Sequence, residues 1–365
     1  MSELVELTKR LVAIDSVNPE LIPGAAGEAE IGRFVAEWLE RAGLEVEVEE
    51  VAPGRPNVVG IARGTGEGRT LLLNAHTDTV GVAGMERGHE PYLENGRLYG
   101  RGAYDMKASL AAIMLAGAEA KRRGLRGDVV VTAVVDEEVA SIGTEAIARR
   151  YPADGAIVSE PTELRVAVAH KGFVAFEIET AGRAAHGSRP DLGIDAIARM
   201  GEILVRLEEL DRRLRASPTH PLLGSGSLHA SIIEGGQEFS SYPDRCLLKA
   251  ERRTVPGEPR EQVEGEIAGL LGEVEGSSRV VLSRPPFEVD RSEGIVEIVT
   301  RHAGNGEVAG VAFWADSALL AGAGIPTVLF GPTGDGAHAV VEWVDVAAAE
   351  RCLEVYVDAA AEFCG

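Results

Sequence analysis

The stretch Thr70–Asp78, TLLLNAHTD, constrains this chain more than any other. Thr70–Asn74 suits a buried strand, and the run passes through Ala75 to His76, with Asp78 two residues on. A continuous apolar run of this kind belongs to a central strand covered on both faces. In open α/β sheets, reacting groups gather at the C-terminal ends of such strands. His76 and Asp78 fall there. An imidazole in that place can bind a metal ion while a nearby carboxylate holds its other ring nitrogen. Taken alone, the stretch equally fits a strand end with a polar turn, so the rest of the chain must decide.

Strands and helices alternate through the first half. Leu4, Leu7 and Leu11 mark one face of an N-terminal amphipathic helix, and Ile31, Phe34, Val35, Trp38 and Leu39 mark a second helix closed by Gly43. Leu44–Val51 alternates as a half-exposed strand does. Further strands are expected at Asn57–Ala62, Asp128–Val135 and Ala156–Val158. A glycine-rich turn, Gly96–Asp105, leads into a helix Met106–Arg123 that Gly124 ends, and Gly143–Arg150 is a short helix. This alternation predicts a parallel or mixed sheet wound with helices.

The texture changes near Lys171. Strand Val174–Thr180, a helix bearing Ile197, Met200, Leu204 and Leu207, strands Leu228–Ile233 and Cys246–Arg252, helix Pro259–Leu271 and strand Arg279–Leu282 follow in turn. That order is one of a small α+β sandwich. The first texture then returns, with helices from Gly294 and Asp316, a buried strand Pro326–Phe330 and a closing helix from Val346. The expected plan is a larger α/β domain, 1–172 and 288–365, with a smaller one, 173–287, inserted into it.

A chain of 365 residues with 45% hydrophobic residues can build both cores. Its formal net charge of −22 argues against nucleic acid and against anionic membranes. No stretch reads as a membrane span, and the N-terminus lacks the basic and apolar regions of a signal peptide. Three cysteines are too few for a disulfide framework, which places the protein in the reducing cytoplasm.

The metal-ligand types that follow strands or glycine-rich loops are His76, Asp105, Glu137, Glu138, Glu160 and His338. Two imidazoles and three carboxylates suit a pair of zinc-like ions, one carboxylate bridging. One glutamate remains, and the water such ions activate needs a general base. Glu137 and Glu138 can divide those roles. His89, His220, His229 and His302 are expected to bind no metal, and His170 stays open. No G-x-x-x-x-G-K-[ST] supports nucleotide binding.

Five motifs in this order carry a family resemblance: HTDTV at 76–80, GRGAYDMK at 100–107, DEEV at 136–139, SEPTEL at 159–164 and GAHAVVE at 336–342. They resemble the zinc-dependent deacylase and carboxypeptidase family that includes acetylornithine deacetylase, succinyl-diaminopimelate desuccinylase, aminoacylase and glutamate carboxypeptidase. The resemblance covers essentially the whole chain. It implies a di-zinc α/β catalytic domain with a central mixed sheet, and an inserted ferredoxin-like lid through which the protein forms a homodimer. It implies two divalent ions, Zn2+ above all, with Co2+ or Mn2+ able to substitute. His76, Asp105 and Glu160 would hold one ion, and Asp105, Glu138 and His338 the other. Glu137 would be the general base, Asp78 the partner of His76, and the Asp105–Met106 peptide cis.

In the lid, AAHGSRPDLGIDAI at 184–197 contains His186, which in relatives reaches a partner subunit's active site and donates to the oxyanion. ERRTVPGE at 251–258 places Arg253 where relatives bind the substrate carboxylate. Ser240 stands where relatives often carry an asparagine, so the substrate contact there differs. The implied activity is hydrolysis of the amide of an N-acyl amino acid, with a dipeptidase or carboxypeptidase of the same family as the alternative.

Overall fold

The computed structural model describes residues 2–304 and 307–365. The chain divides into two compact units, one of Met1–Val168, Val289–Ala309 and Ala315–Gly365, the other of Ala169–Glu288 and Gly310–Trp314. The main strands, in chain order, are β1 (Glu45–Ala52), β2 (Arg55–Ala62), β3 (Leu71–His76), β4 (Val129–Val134), β5 (Gly155–Val158), β6 (Val166–His170), β7 (Gly172–Ala181), β8 (Ser227–Gly235), β9 (Arg245–Thr254), β10 (Gly276–Arg284) and β11 (Thr327–Leu329).

In the first unit the sheet runs β1-β2-β4-β3-β5-β11-β6. It is mixed: β4, β3, β5 and β11 run parallel, and β1, β2 and β6 are joined antiparallel. Every residue of β3, β4, β5 and β11 is buried, as the continuous apolar runs require of strands covered on both faces. Helix Ala29–Arg41 buries Ile31, Val35 and Leu39 at helical spacing. It comes close enough to β2 that a Cβ at Gly60 would lie 2.9 Å from Leu39. Helix Ala108–Arg123 crosses β4 at Gly117, where a Cβ would lie 2.5 Å from Val131. The helix starts two residues later than expected, because Ala103–Lys107 forms a wider π-type turn with non-helical backbone at Asp105 and Met106.

Strands of two or three residues escaped the sequence reading. Tyr92–Glu94, Arg97–Tyr99, Trp343–Asp345 and Gly334–Asp335 form a second, antiparallel sheet. Such short strands show no alternation to read. The buried strand β6 was also missed.

In the second unit the sheet order is β8-β9-β7-β10, all antiparallel. With helices Ala196–Ala216 and Arg260–Gly269 this is a strand-helix-strand-strand-helix-strand sandwich. Its core is Phe176, Ile178, Met200, Ile203, Leu207, Leu248, Val263 and Ile267. The buried stripe of the first helix differs from expectation: Met200, Ile203, Leu207 and Leu210 face inward, while Ile197 is 43% exposed. Gly310–Trp314 packs with this unit, since Lys171 N donates to Val311 O at 3.4 Å and Trp314 Nε1 donates to Pro285 O at 3.1 Å. No helix among the described residues is long and apolar enough to cross a membrane.

Candidate metal centre

Parallel register brings distant residues to one sheet edge. His76, the last residue of β3, pairs with Val134 at the end of β4, and β4 is followed directly by Val135-Asp136-Glu137-Glu138. Asn74 pairs with Val158, the last residue of β5, which Ser159-Glu160 follows. Leu329 of β11 pairs with the same Val158. Asp105 and His338 arrive through the small second sheet. Trp343 pairs with Tyr99 and Asp335 with Trp343, so the turn carrying His338 lies over the turn carrying Asp105.

Five of the six ligand-type residues converge. His76, Asp105 and Glu160 each place one donor atom within 4.8 Å of the others, and Asp105, Glu138 and His338 do the same. His76 Nε2 lies 3.1 Å from Asp105 Oδ1 and 3.9 Å from Glu160 Oε1. His338 Nε2 lies 3.0 Å from Glu138 Oε2 and 3.5 Å from Asp105 Oδ2. Asp105 is common to both groups, one oxygen toward each imidazole. Glu137 stands outside both groups among the described residues. The Asp105–Met106 peptide is cis.

Asp78 does more than sequence suggested. His76 Nδ1 meets the Asp78 backbone oxygen at 2.9 Å, whereas the Asp78 carboxylate is 3.6 Å away. That carboxylate instead accepts from Glu137 N at 3.1 Å and from Glu138 N at 3.2 Å. One residue therefore orients the imidazole and the two glutamates together.

Glu342 was quoted only as the end of a motif. Its buried carboxylate accepts from the backbone N–H of Gly102 at 3.0 Å, Tyr104 at 2.9 Å and Asp105 at 3.1 Å, and from Arg101 Nη1 at 2.6 Å. It closes the turn that presents Asp105. Its spacing four residues after His338 was the available signal.

The electrostatics suit cations. Burial pushes Glu137 well above the ordinary carboxylate range, and the charge of Glu160 adds to this. Burial also raises Glu160 and Glu138. Burial opposes charge on Asp105 too, but hydrogen bonds from His338 and His76 hold it well below that range. Hydrogen bonds to Asp105 and Glu138 push His338 up to about 10. Four crowded carboxylates with two imidazoles form a mixed oxygen and nitrogen donor set, whose mutual repulsion divalent ions relieve. The residues present fit a pair of borderline metals such as zinc.

His186, Arg253 and Ser240 belong to the second unit. His186 is exposed, and its Nδ1 lies 2.8 Å from Ser188 Oγ and accepts from Ser188 N at 3.2 Å. Arg253 donates from Nε to Glu251 at 2.6 Å and lies 5.4 Å from the centre of the Phe173 ring. Ser240 is exposed in the turn before Ser241. His170 is buried with its ring 5.2 Å from that of Phe287.

A family model described as peptidase family M20/M25/M40 matches residues 72–362. An acetylornithine deacetylase of Myxococcus xanthus is 31% identical over 97% of this chain and 96% of its own. An N-formyl-4-amino-5-aminomethyl-2-methylpyrimidine deformylase of Bacillus subtilis is 28% identical over 99% of this chain and 95% of its own. Among solved structures, an M20 family metallo-carboxypeptidase of Sulfolobus solfataricus superposes with TM-score 0.83 at 18% identity, covering 100% of both chains. A tripeptidase of Staphylococcus aureus gives TM-score 0.81 at 20% identity, covering 99% of this chain and 98% of the other. At these identities the structural likeness is one of fold.

Proposed function

Because the chain belongs to peptidase family M20/M25/M40, we propose that it is a two-metal amidohydrolase whose substrate is an N-acyl amino acid. The observation that carries this reading is the pair of ligand groups sharing Asp105, with Glu137 outside both among the described residues. His76, Asp105 and Glu160 would hold one ion, and Asp105, Glu138 and His338 the other. Zinc suits these donors best, and cobalt or manganese could replace it. When bound, the ions supply Lewis acidity, polarising the acyl carbonyl and acidifying the attacking water.

The chain's own residues do the rest. The Glu137 carboxylate takes the proton of the water and passes it to the leaving nitrogen. Asp78 fixes the backbone on which Glu137 rides, and holds Nδ1 of His76 so that Nε2 faces the metals. In the lid, Nδ1 of His186 accepts from Ser188 N, which leaves Nε2–H as the donor for the oxyanion. Arg253, anchored through Nε on Glu251, offers its Nη edge to the substrate carboxylate. Ser240 would contact the substrate from its exposed turn.

The relatives named for removing an acetyl or a formyl group favour a deacylase over a dipeptidase or carboxypeptidase. A homodimer through the second unit is supported by β8. It is one of the two edge strands of its sheet, with Ile232 50% and Ile233 51% exposed. The test is a turnover screen of purified, zinc-loaded protein on acetylornithine, succinyl-diaminopimelate, simple N-acetyl amino acids and dipeptides. The expected result is hydrolysis of the acyl amino acids, abolished by Glu137→Gln. Faster turnover of dipeptides would replace the deacylase reading with the peptidase one.

A further inference from the structure

The loop that carries Glu137 and Glu138 starts at Asp136, whose φ is 70°. A non-glycine residue is uncommon in this left-handed region and persists where its surroundings hold it. Arg55 Nη1 donates to Asp136 Oδ1 at 2.7 Å, and Asn18 Nδ2 donates to the same oxygen at 3.1 Å. The Asp136 carbonyl accepts from Ala140 N at 3.1 Å. With the chain turned this way, the N–H groups of Glu137 and Glu138 both meet the Asp78 carboxylate. Asn18 Nδ2 ties the two aspartates together, donating to Asp78 Oδ2 at 2.8 Å as well.

Arg55 is itself gripped from behind. Its Nε donates to the two Glu28 oxygens at 3.2 and 3.0 Å, and its Nη2 donates to Glu28 Oε1. Glu28, Asn18 and Asp78 are 0% exposed, Asp136 2% and Arg55 6%. One guanidinium thus faces two buried carboxylates in fixed geometry and stands one amide away from a third. Arg55 lies on β2, 81 positions before Asp136, and belongs to neither ligand group among the described residues.

We propose that Arg55 is a positioning residue: by holding Asp136 in its left-handed turn, it sets where the Glu137 carboxylate sits. The proposal rests on Glu137 being the base. Nε and Nη2 serve Glu28 while Nη1 serves Asp136, and a lysine, whose donors all sit on one atom, cannot reproduce that spread. The competing view is that the network merely fastens helix Ala29–Arg41 to the sheet, in which case it affects stability and leaves chemistry alone.

The test compares Arg55→Lys, Asp136→Gly and the double variant, each metal-loaded and with its Tm measured. Glycine takes a φ of this kind without steric cost, so Asp136→Gly keeps the turn available while cutting the link. In the parent, Arg55→Lys should lower kcat roughly ten- to a hundred-fold with KM within about two-fold, as a displaced catalytic group does. In the Asp136→Gly background the same substitution should change kcat by less than about two-fold, because its path of action is gone. Hydrogen exchange of the segment 136–141 should rise with Arg55→Lys and rise no further in the double variant. If Arg55→Lys does not fold, Glu28→Gln loosens the same guanidinium and should give a smaller change in the same direction. An unchanged kcat with a lowered Tm would overturn the proposal, and equal losses in both backgrounds would exclude the route through Asp136. Failure of the base assignment looks different: Glu137→Gln would stay active, and the exchange measurement alone would then decide whether Arg55 holds the loop.

Discussion

Glu137 and Glu138 are neighbours, yet the structure gives them different company. Glu138 reaches His338, at 3.0 Å, while Glu137 lies outside both ligand groups among the described residues. Glu138→Gln should therefore weaken one metal site, and Glu137→Gln should keep both ions while losing turnover by roughly two to four powers of ten. Metal analysis of the two purified variants checks this, and loss of one ion per chain from the Glu137 variant would reverse the assignment. At Arg253, a charge-assisted hydrogen bond costs about 1.5–3 kcal/mol to lose, so Arg253→Ala should lower kcat/KM roughly ten- to a hundred-fold. Substrates amidated at the carboxylate should be poor already with the parent enzyme, and equal rates on acid and amide would remove the role. These residue types could be picked from the sequence because each ligand follows an apolar strand or glycine-rich turn. For Glu342 the spacing from His338 was a signal; for Arg101, Asn18 and Arg55 there was none. Their work is to bind other polar groups far away in sequence, and a lone polar or charged residue in a strand or loop gives no sign of such a partner.

At the scale of elements, the short helix Ile142–Arg150 restrains the loop 136–141 from its far end. Gly143 lies so close to the end of β4 that a Cβ would stand 2.5 Å from Val135 O, 2.6 Å from Val135 N and 2.7 Å from Asn57 Oδ1. All three are fixed by the sheet or by its hydrogen bonds, so Gly143→Ala must push the helix away. Overpacking of this kind costs about 1–3 kcal/mol. Thermal melting should show a lowered Tm, and turnover should fall with it, because the loop 136–141 moves with the helix start. An unchanged Tm would mean that the backbone yields there at no cost. Long, strongly apolar strands were legible to within a residue or two. The two- and three-residue strands of the small sheet were not, although they join the turns of Asp105 and His338. So short a segment has no period, and the pairing that joins the two local hairpins, Trp343 with Tyr99, spans most of the chain.

For the whole molecule, the resemblance around His186 leads to a test of a shared active site. If each site in a dimer takes His186 from the other subunit, His186→Ala and Glu137→Ala should each be nearly inactive alone. Refolded together in equal amounts, about half the dimers should be mixed, and one site in each mixed dimer would be intact. Activity should recover to about a quarter of the parent. No recovery with mixed dimers confirmed would confine His186 to its own chain. Chelation of the metals should also act on the whole fold. Glu137, Glu138 and Glu160, already pushed up by burial, would lose the cations that favour their charge. The stripped protein should melt lower and be inactive, and zinc should restore both.

Sequence alone determined the parallel core and the residues that end its strands. A strand covered on both faces must be apolar along its length, and the polar groups that follow it have one sheet edge on which to emerge. It also determined the order of the long helices and of most long strands in both units. Tertiary structure decided how those ends meet: which oxygen of Asp105 faces which imidazole, that Asp78 meets His76 by its carbonyl and the glutamates by its carboxylate, and that Arg55 bonds to Asp136 and Glu342 to the turn of Asp105. Apart from the near contact of His76 with Asp78, hydrogen bonds of this sort depend on ångström-scale approach between segments tens to hundreds of residues apart. Local spacing does not encode that distance; the register of the sheets sets it.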